Sequence, residues 1–205
     1  MPRVVADISM SLDGYVTGPD PGPANGLGDG GEALHTWAFS DDPDDQQLVR
    51  EATRRSGSVL MGRTLFDIVD GPDGWNEDVG YGAGEVGEPP FVVLTSARPE
   101  HVRQTHLDWT FVTTGIEDAV TAAQELAARE SASRRGEELD AVLMGGGTLI
   151  GSALAAGLVD VLSLHLAPVV LGGGTPLFAA GTRRDLRLSG AVTTTTATHL
   201  TYDVL

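Results

Sequence analysis

Ala141-Val142-Leu143-Met144-Gly145-Gly146-Gly147-Thr148-Leu149-Ile150-Gly151 is the stretch that decides how this chain folds. Its uncharged apolar opening suits a strand covered on both faces of a sheet. Three glycines then let the backbone turn sharply and come close to a ligand, because no Cβ stands in the way. Thr148 and the residues after it open a helix. A helix N-terminus offers unpaired N–H groups and a partial positive charge, which suit a phosphate. A tight strand-to-helix turn with no ligand explains the same glycines, so the neighbouring chain has to decide.

Upstream, the arrangement recurs. Ser58 to Met61 (SVLM) reads as a short buried strand, Gly62-Arg63-Thr64 follows, and Thr64 to Val69 continues as a helix. Arg63 supplies a fixed cation and Thr64 a hydroxyl where a phosphate would sit. Phe91 to Leu94 (FVVL) is a third buried strand, ending in Thr95-Ser96-Ala97-Arg98-Pro99. Hydroxyls and an arginine at a strand end are also phosphate ligands. Three strand ends thus converge on one ligand. In an open α/β sheet, ligands collect outside the carboxyl ends of the strands. Two helix N-termini for a pyrophosphate and a Ser/Arg loop for an extra phosphate fit NADPH better than NADH, whose ribose prefers an acidic partner.

The connecting segments read as scaffold. Arg3 to Met10 opens the sheet as a strand, and Ser11-Leu12-Asp13-Gly14-Tyr15-Val16 turns out of it at Asp-Gly. Thr17 to Gly31 is a Gly/Pro-rich loop, read as a mobile flap. Its literal G-x-G-x-x-G at Gly26, Gly28 and Gly31 lacks the strand before and the helix after that a dinucleotide fingerprint needs. Glu32 to Arg55 is mainly helical, with Ala33, Leu34, Trp37 and Ala38 on one face. Asp41 or Asp42 caps a second helix at Pro43, and the acidic run Asp41 to Asp45 reads as its solvated end. Asp70 to Pro90 is irregular, and Trp109 to Thr113 is a fourth strand. Thr114-Gly115-Ile116-Glu117 fits a capping box ahead of an amphipathic helix reaching about Arg129. Beyond the opening stretch, the helix ends at Gly157 and Leu158 to Leu166 reads as a long strand. Ala167 to Phe178 carries a second glycine triplet and reads as a loop lining a pocket. Two antiparallel strands, marked by Leu186, Leu188 and Val192 and by Leu200, Tyr202 and Val204, close the sheet, with His199 on an exposed face.

Composition narrows the function classes. With 205 residues, 41% hydrophobic and 20% charged, the chain reads as one globular domain over residues 1–205. It has no cysteine, which excludes disulfides, thiolate zinc sites and cysteine nucleophiles, and its five histidines are scattered, so no metal site is expected. A formal net charge of −16 repels nucleic acid, so any anionic ligand must be held by local amides and a few arginines. No apolar run is long enough to span a bilayer and no secretory signal opens the chain, so no membrane partner and a cytoplasmic location are expected.

Taken together, Ser11 to Val16, Val59-Leu60-Met61-Gly62-Arg63-Thr64, Val93-Leu94-Thr95-Ser96, Met144 to Leu149 and Pro168 to Phe178 resemble the dihydrofolate reductase superfamily. The likeness is closest to the reductase domain of the bifunctional riboflavin-biosynthesis deaminase-reductase and its single-domain relatives. It implies an α/β fold of three layers: a mixed, mostly parallel sheet flanked by helices, with a C-terminal antiparallel hairpin. It implies an NADPH-dependent reductase, commonly a homodimer, acting on a small pteridine or ribityl-pyrimidine.

Carried onto this chain, the resemblance puts Gly62, Arg63 and Thr64 at the cofactor phosphates. Thr95, Ser96 and Arg98 would lie near the adenosine 2′-phosphate, and Gly145, Gly146, Gly147, Thr148, Leu149 and Ile150 along the pyrophosphate. Asp13 and Gly14 would border the nicotinamide and substrate, with Asp13 as the candidate proton source. Trp37, Thr175, Pro176 and Phe178 would line the substrate cleft. This sequence holds no cysteine for the zinc site of a deaminase, so no deamination is expected of it. The region matching the substrate helix offers Glu32, His35 and Trp37. Activity as 5-amino-6-(5-phosphoribosylamino)uracil reductase is the leading expectation. Dihydrofolate reductase activity and a nucleotide-binding protein without turnover are the alternatives.

Overall fold

Alternation within the strands sets the layering. The computed structural model describes residues 1–76, 80–81, 88–178 and 183–205. Its strands are β1 Val4–Met10, β2 Ser56–Gly62, β3 Phe91–Leu94, β4 Trp109–Val112, β5 Asp140–Gly145, β6 Val161–Leu166, β7 Leu186–Thr193 and β8 Thr198–Val204. They pair into an eight-stranded sheet in the order β4-β3-β2-β5-β1-β6-β8-β7. All neighbouring pairs from β4 across to β6 are parallel, while β8 runs antiparallel to β6 and to β7. The helical segments are a 3-10 helix Gly31–Phe39, α1 Pro43–Arg55, α2 Arg63–Val69, α3 Ile116–Ser133 and α4 Gly147–Ala156. This is the mixed sheet with a C-terminal hairpin that the resemblance implied.

Ala6, Ile8, Leu60, Val92 and Leu143 project from one face against the alanines of α3 and the apolar side of α4. Val59, Met61, Phe91 and Val93 project from the other, against Phe66 and Val69 of α2. Trp109 stands edge-on to Phe66, with ring centroids 5.1 Å apart. Nearly every residue of β2 and β5 is buried, as parallel strands covered on both faces require. On the second face, β1, β6 and β8 depart from this pattern. Asp7, Ser9, His165 and His199 replace apolar residues there, and the 3-10 helix covers them.

Several local expectations change. The capping box does not form: Gly115, at φ 126°, takes the cap position of α3 with no side-chain cap, and Thr114 lies one residue too early. The first helical segment is 3-10 rather than α. Asp42 caps α1 as expected, accepting from the Asp44 N–H at 3.0 Å, but Asp45 of the same acidic run is wholly buried. His199 is 4% exposed rather than on an exposed face, because the 3-10 helix and α1 cover that face of β8: the Trp37 ring lies 4.9 Å from its ring and Asp45 Oδ1 2.8 Å from its Nε2. β6 begins only at Val161, since the Leu158 N–H bonds back to Ala153 at the end of α4, and it sits inside the sheet between β1 and β8. Leu186, Leu188 and Val192 of β7 form the hairpin but stay exposed. The irregular reading of residues 70–90 falls partly outside the described residues. Among the described residues no helix is long and apolar enough to cross a membrane.

Candidate functional site

The order of strands brings the three expected ends together. β3, β2 and β5 are neighbours, and β1 follows β5, so the chain reverses its direction of travel across the sheet at this point. Such switch points leave a crevice at the carboxyl ends. Here it is a cleft of about 880 Å³, lined by the ends of β2 and β5, the first turn of α4, and the covered face of β1.

The glycine turn forms one wall. Gly145 lies at φ 141°, and the Gly145–Gly146 peptide is cis. A Cβ on Gly147 would lie 2.6 Å from Val16 Cγ2 and 2.9 Å from the Pro176 carbonyl, whereas a Cβ on Gly146 would meet nothing within 4 Å. Position 147 is therefore closed by packing and position 146 faces open space beside the cleft. Thr148 and Leu149 also line it, while Ile150 is fully buried in the core behind.

Arg63 and Thr64 line the opposite edge. The Arg63 guanidinium donates to Asp67 at 2.7 Å, to the Ala97 carbonyl at 3.1 Å and to the Thr95 hydroxyl at 3.4 Å. It thereby ties the start of α2 to the loop after β3. Thr95 is buried and donates to Ala97 O at 2.8 Å. Ser96 and Arg98 are exposed, and Arg98 lies 5.4 Å above the Phe111 ring. This third loop flanks the cleft but does not line it.

The Asp13 segment has a different place from the one expected. The Asp13 carboxylate is exposed, outside the cleft lining, and accepts from the N–H groups of Gly172 at 2.7 Å and Leu171 at 3.1 Å. Its carboxyl is held below the ordinary range, first by the Ser11 hydroxyl and then by those two amides. The segment is stitched to the second glycine loop throughout. Leu12 donates to Val169, Val16 to Thr175, and Leu177 to Gly14. Thr175 faces the cleft, while Gly14 and Pro176 stand behind it and Phe178 is exposed outside.

At the inner end of the cleft lie Asp7, Ser9, His35 and Trp37. Trp37 donates from its indole N–H to Ser9 Oγ at 2.9 Å, and its ring lies 4.0 Å from the His165 ring. Behind them runs a chain of titratable groups. Asp7 Oδ1 is 3.2 Å from His165 Nε2, His165 Nδ1 is 2.7 Å from His199 Nδ1, and His199 Nε2 is 2.8 Å from Asp45 Oδ1. Asp45 also accepts from the Ser40 and Thr196 hydroxyls. Burial opposes ionisation of both carboxyls. The His165 ring overcomes it at Asp7, and the hydroxyls with His199 overcome it at Asp45, so both sit below the ordinary range. Burial pushes His199 down and brings His35 down to about 4. The buried Nδ1 of His35 has no hydrogen-bond partner among the described residues.

Residues 2–201 match the family model for the RibD C-terminal domain. The chain belongs to the RibD C-terminal domain family. This RibD C-terminal domain is 25% identical over 179 residues to the uncharacterised protein YyaP of Bacillus subtilis (strain 168), covering 86% of this chain and 80% of that one. Its fold is that of a protein from Shewanella sp. PV-4 ascribed to riboflavin biosynthesis, with TM-score 0.68 and 22% identity over 100% of this chain and 99% of that one. The same fold occurs in Enterococcus faecalis dihydrofolate reductase complexed with NADP(H), with TM-score 0.51 and 13% identity over 98% and 96% of the two chains.

The residues of this RibD C-terminal domain fit a nicotinamide dinucleotide. Gly146 leaves room for close backbone approach, α4 opens toward the cleft, and Arg63 brings a cation to the same edge. Asp7, His165 and Asp45 escape recognition in the sequence, although each leaves a signal. Asp7 and His165 are polar interruptions in central strands that should read as apolar. Asp45 shares a helical face with Leu48, Val49 and Ala52. Asp7 on β1 brings a carboxylate to the cleft.

Proposed function

We propose that this protein is an NADPH-dependent reductase of a small heterocyclic substrate of the ribosylamino-pyrimidine type. The observation that carries the reading is the pairing of two glycine strand ends, Gly62-Arg63-Thr64 on β2 and Gly145 to Thr148 on β5, over one cleft that ends in Asp7, His35 and Trp37. Membership of the RibD C-terminal domain family supports it, as does the shared fold with a dihydrofolate reductase that binds NADP(H).

In this reading Gly146, Gly147, Thr148 and Leu149 carry the pyrophosphate on the first turn of α4, where unpaired N–H groups and the helix dipole favour an anion. Ile150 seats that turn in the core. Arg63 and Thr64 close the other side, and Thr95, Ser96 and Arg98 flank the adenosine end for the 2′-phosphate. Against a net charge of −16, these local cations must offset the repulsion an anionic ligand meets. When bound, the nicotinamide supplies the hydride. Trp37 offers a face for the substrate ring, His35 an unpaired ring nitrogen, and Thr175 the far wall. Asp13 holds the loop that carries Thr175; Gly14, Pro176 and Phe178 shape that loop from outside.

Titration with NADPH and NADH, followed by nicotinamide fluorescence and melting temperature, tests the cofactor. Tighter binding of NADPH is expected, and absence of binding to either overturns the reading. NADPH oxidation driven by 5-amino-6-(5-phosphoribosylamino)uracil, but not by dihydrofolate, is the expected substrate outcome. The reverse would establish the dihydrofolate reductase alternative.

A further inference from the structure

We infer that His165 and His199 share one extra proton, and that His165 passes it through Asp7 to the substrate as hydride arrives, making Asp7 the proton donor of the cleft. The inference rests on the reductase reading above.

The geometry sets the proton count. Nitrogens 2.7 Å apart, as the two Nδ1 atoms are, need one proton between them, since two bare lone pairs at that distance repel. Asp45 and Asp7 each face an Nε2, and an ionised carboxylate there only accepts, so both Nε2 atoms carry protons. Two rings therefore hold three ring protons where two neutral rings hold two, and one ring is an imidazolium. It is flanked by two carboxylates, which favour it. The groups facing the pair from each packed element agree. Asp7 comes from β1, Asp45 from α1 and His35 from the 3-10 helix, and Tyr81 also lines the cleft. Burial holds the phenol of Tyr81 and the ring of His35 neutral, so neither competes for the charge. His165 Nε2 is the ring nitrogen of the pair that faces Asp7, so the charge discharges toward the cleft through that ring. Of the four chain members, Asp7 alone lines the cleft.

The transfer balances. Hydride forms a C–H bond on the carbon of the substrate's C=N group, and the π pair moves to nitrogen. His165 Nε2 first protonates the ionised Asp7 carboxylate, and the substrate nitrogen then takes the proton from the Asp7 carboxyl so formed, leaving Asp7 ionised again. Both rings end neutral, His165 keeping its Nδ1 proton and His199 its Nε2 proton. The products are the C–H/N–H amine and the oxidised nicotinamide. After release, water entering the cleft returns one proton through Asp7.

The test is nitrogen-15 NMR of the histidine rings in the NADPH-bound protein from pH 5 to 9, with steady-state rates over the same range. The two rings should together hold three ring protons at pH 7, one on each Nε2 and one between the two Nδ1 atoms. In His199→Gln the shared proton loses one of its two nitrogens, so the alkaline limb of kcat should move down, with KM for NADPH unchanged. Asp7→Asn should lower kcat by about a hundredfold. Two neutral rings in the wild-type protein at pH 7 overturn the inference and need no variant to fold. So does a pH–rate profile of His199→Gln that superimposes on the wild type. A protein that binds no NADPH overturns the reductase reading and this role with it, whereas NADPH binding with neutral rings overturns the donor role alone.

Discussion

Gly147 is set against Val16, so closely that a Cβ at residue 147 would lie 2.6 Å from Val16 Cγ2. The turn that opens α4 and the segment that leaves β1 are therefore one packed unit, and the cleft wall depends on the pair. The adjacent glycine has no such neighbour. The two positions separate packing from ligand approach.

Gly147→Ala should lower the melting temperature, because backbone at Pro176 and the branched Val16 must both give way; overpacking of this kind costs about 1–3 kcal/mol. Gly146→Ala should leave the melting temperature nearly unchanged and weaken NADPH, its methyl standing beside the cleft. Calorimetry and fluorescence titration read the two separately. Unaltered NADPH affinity in Gly146→Ala would remove this turn from the cofactor site.

Asp13→Ala should free the second glycine loop, since the Leu171 and Gly172 amides lose their acceptor. Limited proteolysis should cut faster within residues 168–178. The Asp13 carboxyl lies below its usual 3.8, so the tether persists above that pH and is lost as pH falls through the lowered value. A turnover loss in Asp13→Asn as large as that in Asp7→Asn would return the proton-donor role to Asp13.

Asp140→Ala tests the end of the sheet remote from the cleft. Asp140, with a side chain 7% exposed, bridges Arg3 at 3.1 Å and Arg55 at 3.0 Å. Both arginine side chains are about half exposed, at 54% and 48%, so solvent screens the pair. The loss should be about 1 kcal/mol, the charged hydrogen-bond contribution discounted for that screening. Denaturant unfolding checks it, and NADPH affinity should not change.

Stability should fall as pH drops from 6.5 toward 4. Burial first, and then the His165 charge, bring His35 from 6.5 down to about 4, so the unfolded chain binds the proton that the folded chain refuses. This contribution is complete above pH 6.5, declines through the window and is spent below about 4. It is on the order of 3 kcal/mol. His199 adds in the same direction, and Asp7 and Asp45 add a further loss below 3.8. Urea midpoints at pH 7, 5.5 and 4 should show the slope, and His35→Gln should flatten it.

The runs SVLM, FVVL and AVLM, each followed by a turn signal, can be recognised as buried strands from local pattern alone. Burial on both faces demands unbroken apolar character, which no neighbour is needed to reveal. Gly62-Arg63 and Gly145 to Gly147 are legible for the same reason, because a close turn excludes a Cβ wherever it occurs. The placement of His199 was not legible. A residue's exposure on one face of β8 depends on whether another element packs over that face, and that is decided by the whole chain. The partners of Asp13 were not legible for a related reason: the loop that its carboxylate fastens begins 158 positions away at Leu171.

By itself, then, the sequence determined the parallel sheet, the glycine-lined strand ends, the closing hairpin and the exclusion of cysteine chemistry. Each follows from composition or from spacing within a few residues. Only the tertiary structure decided which carboxylate faces the cleft. Asp7, His35, Asp45, His165 and His199 come from five separate elements, with Asp7 and His165 separated by 158 positions, and hydrogen bonds of 2.7 to 3.2 Å link four of them into one chain. Such bonds demand distances and angles that residue types do not encode, and only the packing of the 3-10 helix and α1 over β1, β6 and β8 supplies them.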